Sequence, residues 1–434
     1  MRTAFLRALL PGIAAAVLLT PAAPSSAGTL ARDTAYTDVP VQETGRITKV
    51  LDGDTFEFLV DGDSRATRVR LLGVNTPEVT GQDNIHFAED MCAGREAEAH
   101  LERLLPVGTK VELRSLRKES TNRGRILRYV FAYDPQSGAY DKDISALVAE
   151  SGLAMWFTVD QESALSYPYR LIVQQAQRDG RGIWDPNYCG PVEQPDARIK
   201  VTVSWDAPGT DASNLNGEFV IVRNVGTTAV DLSGWLLRDS SLTSWYYFPS
   251  GTVLTAGDFR VVHVGSGSPG SPTARDLYMG STEPLFPNTQ DGKFLGDGAY
   301  LLDRSTAVRF YDEYPCITNC RDPLQGAVAI SKVNPVSRSR VVSRAANEEF
   351  VVLRNASKAP VLLDGYYLRR KVSTYPFPPG TQIPPGRTLT VRIGKGAATP
   401  LVQYWGRRAP LLTNRSDRVD LLSNTNVLVS RKQW

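Results

Sequence analysis

The sequence predicts a mainly β protein with some α: a Greek-key barrel of five strands with helices packed at one end, followed by two tandem β-sandwiches. Three observations carry this reading. Residues 45–190 mix alternating apolar–polar runs with stretches of helical spacing. After Pro195 the helical spacing disappears, and short strands alternate with Gly, Pro, Asn and Asp turns as far as Trp434. That second half also repeats itself. Glu218-Phe219-Val220-Ile221-Val222-Arg223-Asn224 answers Glu349-Phe350-Val351-Val352-Leu353-Arg354-Asn355, and Phe248-Pro249-Ser250-Gly251-Thr252 answers Phe377-Pro378-Pro379-Gly380-Thr381.

A chain of 434 residues is too long for one ordinary core, and its net charge of +3 is too small to mark the whole protein as a polyanion binder. Any basic signal has to be local. Residues 1–27 combine Arg2 and Arg7, an apolar run from Ala8 to Leu19 and a small-residue end, Pro24-Ser25-Ser26-Ala27, which is the pattern of a secretory signal peptide. Residues 28–44 are small and polar, a leader ahead of the barrel. No apolar stretch reaches the roughly 20 residues of a membrane-spanning helix, so the expectation is a secreted protein, with retention at the cell envelope left open. Export places Cys92, Cys189, Cys316 and Cys320 where disulfides persist. Three pairings exist, and Cys92–Cys189 with Cys316–Cys320 is favoured.

The barrel domain is expected over residues 45–190. Its strands begin at Arg46-Ile47-Thr48-Lys49-Val50, continue from Thr55 to Val60 and from Ala66 to Val74, and turn at Asp52-Gly53 and Asp61-Gly62. A loop holding His86 and Cys92 leads to a helix over residues 94–105, where Ala97, Leu101, Leu104 and Leu105 recur before Pro106. Strands follow over 110–116 and 126–133, then helices over 144–151 and 169–178 that flank Met155-Trp156-Phe157. This is the outline of an oligonucleotide-binding fold. Residues 191–197 read as a linker, 198–315 as the first sandwich, 316–325 as a second linker and 326–434 as the second sandwich.

Through the Glu-Phe-Val strands, the turn Asp231-Leu232-Ser233-Gly234-Trp235 and its counterpart Leu362-Leu363-Asp364-Gly365-Tyr366, the repeats resemble the lamin tail domain, an immunoglobulin-like sandwich. That resemblance implies fold more than function. Asn288-Thr289-Gln290-Asp291-Gly292 and Gly296-Asp297-Gly298 lack a full calcium-loop spacing and read as hairpin turns.

The chemistry concentrates in residues 50–78. Asp54 lies in a tight Asp-Gly-Asp turn, Asn75 and Thr76 offer an amide oxygen and a backbone carbonyl, and Glu78 follows Pro77, placed to activate a water. Oxygen donors on loops suit calcium. Arg70, inside an apolar strand, and Arg125, after Gly124, bring planar cations suited to phosphoryl oxygens. Taken in order, Asp52-Gly53-Asp54-Thr55, Val69-Arg70-Leu71-Leu72-Gly73-Val74-Asn75-Thr76-Pro77-Glu78, Arg123-Gly124-Arg125, Gly152-Leu153-Ala154 and Gly182-Ile183-Trp184 resemble the staphylococcal nuclease (thermonuclease-like) family across roughly residues 45–185.

The resemblance implies calcium-dependent cleavage of DNA and/or RNA. Carried over residue by residue, Asp54, Asn75 and Thr76 match the metal ligands, Glu78 the general base, and Arg70 with Arg125 the pair that stabilises the phosphoryl transition state. Asn75 departs from the aspartate of the best-known member, so Asn75→Asp is expected to strengthen calcium binding. Lys110, Arg114, Lys118 and Arg123, within a basic run that also holds Arg117 and Arg128, are expected to track a nucleic-acid backbone, the alternative being a solvated hairpin, and Trp156 and Phe157 either stack on a base or belong to the buried core. His86 and His100 are not needed by this chemistry. The competing readings are a non-catalytic nucleic-acid-binding protein and a cell-envelope interaction protein in which the sandwiches do the main work.

Overall fold

The computed structural model describes residues 38–80, 88–268, 271–288 and 295–434. The signal-peptide segment, His86 and the stretch Thr289-Gln290-Asp291-Gly292 lie outside the described residues.

The N-terminal elements run β1 (Val41–Val50), β2 (Thr55–Val60), β3 (Ala66–Leu71), β4 (Val74–Asn75), α1 (Gly94–Leu104), β5 (Lys110–Arg114), β6 (Thr121–Asn122), β7 (Arg125–Asp134), β8 (Ala139–Asp143), α2 (Ile144–Ser151), β9 (Met155–Trp156) and α3 (Ser166–Arg178). Strand β1 pairs antiparallel with β2 along its C-terminal half and with β5 along its N-terminal half. Strand β5 pairs with β7, and β7 returns parallel to β3, setting Val69 opposite Ile126 and Arg70 opposite Leu127. Because β2 already pairs with β3, the sheet closes into a barrel with no free edge between these strands. Phe56, Phe58, Val69, Leu71, Val111 and Leu113 fill it, each fully buried.

Two boundaries differ from the sequence expectation. Strand β1 begins at Val41 rather than Gly45, because Val41 and Glu43 find partners in β5, so the end of the expected leader is built into the barrel. The strand expected from Ala66 to Val74 stops at Leu71. There Gly73 takes φ 87°, and a Cβ on it would stand 2.1 Å from the Tyr169 ring, so only glycine fits both the turn and the packing. The chain re-enters pairing as β4 against β9, which carries Asn75, Thr76 and Glu78 to the rim of the barrel.

Each sandwich pairs two four-stranded sheets with the same strand order. In the first, one sheet runs Ile199–Ser204, Phe219–Asn224, Phe259–His263 and Asp276–Tyr278, and the other Trp245–Tyr247, Leu236–Asp239, Asp297–Leu302 and Val308–Tyr314. The second sandwich repeats both orders, from Val328–Asn334 and from Ser373–Pro376. The repeated polar residues act as fasteners. Glu218 accepts from the backbone of Leu285 and Phe286 at 2.9 and 3.2 Å, and Glu349 does the same for Leu411 and Leu412 at 2.7 and 3.0 Å. Asn224 and Asn355 each donate across the sandwich to a buried carbonyl, Leu254 and Ile383 respectively, at 2.9 Å.

The segment expected as a linker before the first sandwich is docked on it: the Gln194 side chain brackets the backbone of Asp231, and Ala197 is buried. The disulfides are Cys92–Cys189 and Cys316–Cys320. The barrel is seated on the first sandwich through a shared apolar cluster in which Met91, Ala97 and Met155 meet Leu236, Tyr300 and Leu302. A buried ion pair, Arg170–Glu313 at 2.5 Å, reinforces the contact, and Glu313 also accepts from Tyr300 at 2.6 Å. Arg223 of the first sandwich pairs with Asp364 of the second at 2.6 Å. No helix among the described residues is long and apolar enough to cross a membrane.

Candidate active site

The turn Asp52-Gly53-Asp54 is closed by its own acid: the Asp54 backbone N–H donates to the Asp52 carboxylate at 2.9 Å. A Cβ on Gly53 would meet Ala97 at 2.5 Å and Thr76 at 2.6 Å, so glycine lets the turn press against α1 and the β4 exit. Asp54 is thereby aimed inward. Its Oδ2 accepts from the Thr76 backbone N–H at 2.8 Å and the Thr76 hydroxyl at 3.1 Å, and faces Arg70 Nη1 at 3.0 Å.

Arg70 is buried, which is unusual for an arginine on a strand, and its hydrogen bonds account for that. Nη1 donates to the carbonyls of Leu71 and Val74 at 3.1 and 2.9 Å, and Nη2 donates to the Asn75 amide oxygen. The parallel pairing of β3 with β7 brings Arg125, at the head of β7, to the same end of the barrel. Arg125 Nη1 donates to Thr55 at 3.3 Å, while its Nε is buried without a hydrogen-bond partner among the described residues. Glu78 completes the group. Burial raises its carboxyl above the ordinary glutamate range, the Asp54 charge adds to this, and Arg238, Arg70 and Arg125 oppose it. Asp52 is held well above the usual carboxylate range by burial and by its neighbour Asp54.

Of these, Arg70, Asn75, Glu78 and Arg125 border one cavity of about 450 Å³, and the barrel supplies only half of its wall. Arg70, Asn75, Glu78, Arg123, Arg125 and Phe157 line one side. The first sandwich lines the other, through Leu242, Trp245 and the segment from Pro284 to Pro287. The contact is also direct: the Asn75 side-chain N–H donates to the Ser240 carbonyl at 2.7 Å. Its amide orientation is fixed by chemistry, since the flipped form would set oxygen against the Ser240 oxygen and NH₂ against Arg70.

The basic run divides. Arg123 is exposed and lines the cavity, and Lys110 and Lys118 are exposed but not part of its wall. Arg114 pairs with Glu112 at 2.7 Å, and Arg128 is buried against Glu43 at 2.8 Å. Trp156 is a correction to the sequence reading: it is 1% exposed, and its indole N–H donates to the Ser166 carbonyl at 3.1 Å, so it packs the core and has no face to offer a base. The neighbouring Phe157, just past β9, lines the cavity instead, with the Arg70 guanidinium 5.6 Å from its ring centre. His100 lies on α1 beside Arg103, away from this group. Sequence reasoning missed Arg238, Ser240, Leu242 and Trp245. No local signal marks them, because the Asn75–Ser240 contact joins positions 165 residues apart.

No cluster of three or more His, Cys, Asp or Glu side chains is arranged to hold a metal among the described residues. The donors that do converge are all oxygens, and the Asp54 charge raises the proton affinity of both Asp52 and Glu78, which is the chemistry of a site suited to a hard cation. With Asp54 as the only carboxylate of the ligand set, the remaining positions would fall to neutral oxygens, water and substrate phosphate.

The family model described as "Staphylococcal nuclease homologue" matches residues 68–186, and the one described as "Lamin Tail Domain" matches residues 194–314 and 322–434. The thermonuclease of Staphylococcus intermedius is 28% identical over 151 residues, which is 33% of this chain and 77% of that protein. With more than half of its length in two lamin tail domains, and a staphylococcal nuclease homologue in the oligonucleotide-binding fold ahead of them, the chain belongs to the lamin tail domain family and carries a nuclease-family domain at its front.

Proposed function

We infer that the chain is an exported, calcium-dependent nuclease that hydrolyses phosphodiester bonds of DNA and/or RNA. The observation that carries this reading is the convergence of Arg70, Arg125 and Glu78 at one cavity, with Asp54 paired to Arg70 beside them, the four drawn from two strands and two loop segments. Glu78 takes the proton from the attacking water. Arg125, with an uncommitted Nε, and Arg70 bind the non-bridging phosphoryl oxygens and neutralise the charge that grows on them in the transition state. Asp54, Asn75 and the Thr76 carbonyl would hold calcium, which when bound supplies Lewis-acid polarisation of the phosphate. Arg123 and Phe157 at the rim suit the flanking backbone and a base. The disulfides support an oxidising destination, in keeping with the signal-peptide pattern of residues 1–27.

The test is cleavage of single-stranded DNA and of RNA by the purified full chain, with calcium or with chelator, beside Glu78→Gln and Arg125→Ala. Loss of one such charged donor is expected to cost about 10²–10³ in rate. Equal inactivity of wild type and variants would leave the non-catalytic binding reading in its place.

A further inference from the structure

The first sandwich touches the nuclease-family domain at its most functional point, and the residues around that point are unusually constrained. Ser240 sits at the end of the strand Leu236–Asp239, and its carbonyl accepts the Asn75 amide at 2.7 Å. Arg238 holds the corner from below: its Nε donates to the Asp239 carbonyl and its Nη2 to the Ser240 carbonyl, both at 2.9 Å. Asp297 holds it from the side, accepting from the Ser240 backbone N–H at 3.1 Å and from its hydroxyl. Asp239 fixes the turn that follows by accepting from the backbone of Ser241 and of Ser244 at 3.2 Å. Arg238 is 1% exposed, and its Nη1 has no hydrogen-bond partner among the described residues.

A buried arginine that spends its guanidinium on two carbonyls of its own corner is an expensive way to stabilise a sandwich. The arrangement makes sense if the corner must be rigid for the neighbouring domain. We propose that the first sandwich is a working part of the nuclease site, and that Arg238 is a positioning residue: it fixes the Ser240 carbonyl, which orients Asn75, which in turn holds Arg70. The same chain of contacts explains why position 75 carries an amide. One end must donate to Ser240 and the other must accept from Arg70, and of the two isosteric side chains only asparagine does both. A misplacement of an arginine by even 1 Å is large on the scale of transition-state contacts.

This inference rests on the nuclease reading for its kinetic consequence but not for its geometry, so two measurements on the full chain separate them. In the calcium-free wild type, selectively ¹⁵N-labelled at asparagine, the Asn75 side-chain N–H is expected to exchange at least about tenfold more slowly than a free asparagine amide, and to lose that protection in Arg238→Met. An unprotected Asn75 in the wild type overturns the proposal whatever the enzyme does. On single-stranded DNA with calcium, with each variant compared at its own pH plateau because the Arg238 charge also bears on Glu78, Arg238→Met is expected to lower kcat about tenfold with KM within about twofold, Arg238→Lys to recover part of the loss, and Arg238→Met to cost nothing further on an Asn75→Ala background. A kcat for Arg238→Met within twofold of wild type, or losses that multiply across the two sites, would refute it. If Arg238→Met does not fold, Arg238→Lys alone and on Asn75→Ala makes the same comparison. A wild type that cuts nothing but protects Asn75 sinks the nuclease reading and leaves the positioning intact.

Discussion

Asn75→Asp is the substitution on which the sequence and the structure pull in different directions. Seen from the sequence, it adds a charge to the calcium ligands and should tighten the ion. Within the fold it also replaces the N–H that donates to Ser240 with an oxygen, setting two acceptors 2.7 Å apart inside a closed interface. The Ser240 carbonyl keeps its bond from Arg238, so it is not orphaned, and the new carboxylate gains charge attraction to Arg70. The attraction is shared, because Arg70 already faces Asp54 at 3.0 Å, whereas the acceptor–acceptor contact and the burial of one more charge are wholly new. The loss of a buried hydrogen bond with its donor site reversed costs about 1–3 kcal/mol. For a cooperative unit of barrel plus sandwich this amounts to a fall of roughly 3–9 °C in the melting transition. Calorimetric melting without calcium, and titration with calcium, read the two effects apart: lower stability without the ion, tighter binding with it. A calcium-free melting temperature equal to or above that of wild type would refute the claim that the Ser240 contact constrains position 75. Weaker or unchanged calcium binding would count against Asn75 as a ligand.

Other contacts yield sharper stability predictions. Glu218 is fully buried with Oε1 lacking a partner among the described residues, and burial pushes its carboxyl up to about 7. A raised acid favours the folded state at pH below the unfolded value of 4.5, and that advantage is lost as pH rises through about 7. Glu218→Gln, which keeps the acceptor for Leu285 and Phe286, should therefore flatten the fall in stability between pH 4.5 and 7, at most about 3 kcal/mol, as read by urea melts at each pH. Arg170→Met leaves Glu313 buried with Tyr300 and Gln177 as its remaining partners among the described residues, and should destabilise the chain by about 3–5 kcal/mol, while Arg170→Met with Glu313→Gln recovers most of it. Gly73→Ala drives a methyl into the Tyr169 ring at φ 87° and should cost more than the about 1 kcal/mol of a strain-free glycine replacement, measured by chemical denaturation.

What the sequence discloses here is whatever lies within one element or recurs at a fixed offset. The Asp-Gly-Asp turn, the arginine of β3 and the Asn-Thr-Pro-Glu exit are contiguous, so their chemistry can be read before any fold is known. The repeated Glu-Phe-Val strands likewise disclose two sandwiches, because Glu218 and Glu349 do the same job on the same backbone geometry. Burial is less legible. Trp156 and Phe157 are adjacent aromatic residues, and only the folded chain shows that the first packs in the core and the second lines the cavity. Least legible is the wall that the first sandwich lends to the site. Arg238, Ser240 and Trp245 look like ordinary strand and turn residues of an accessory domain, and nothing in their spacing points to position 75. Yet Asn75, which departs from the resembled site, is the residue whose amide needs a carbonyl from elsewhere. An unexpected amide among metal ligands is thus a pointer to a neighbour that accepts from it, and here that neighbour is Ser240.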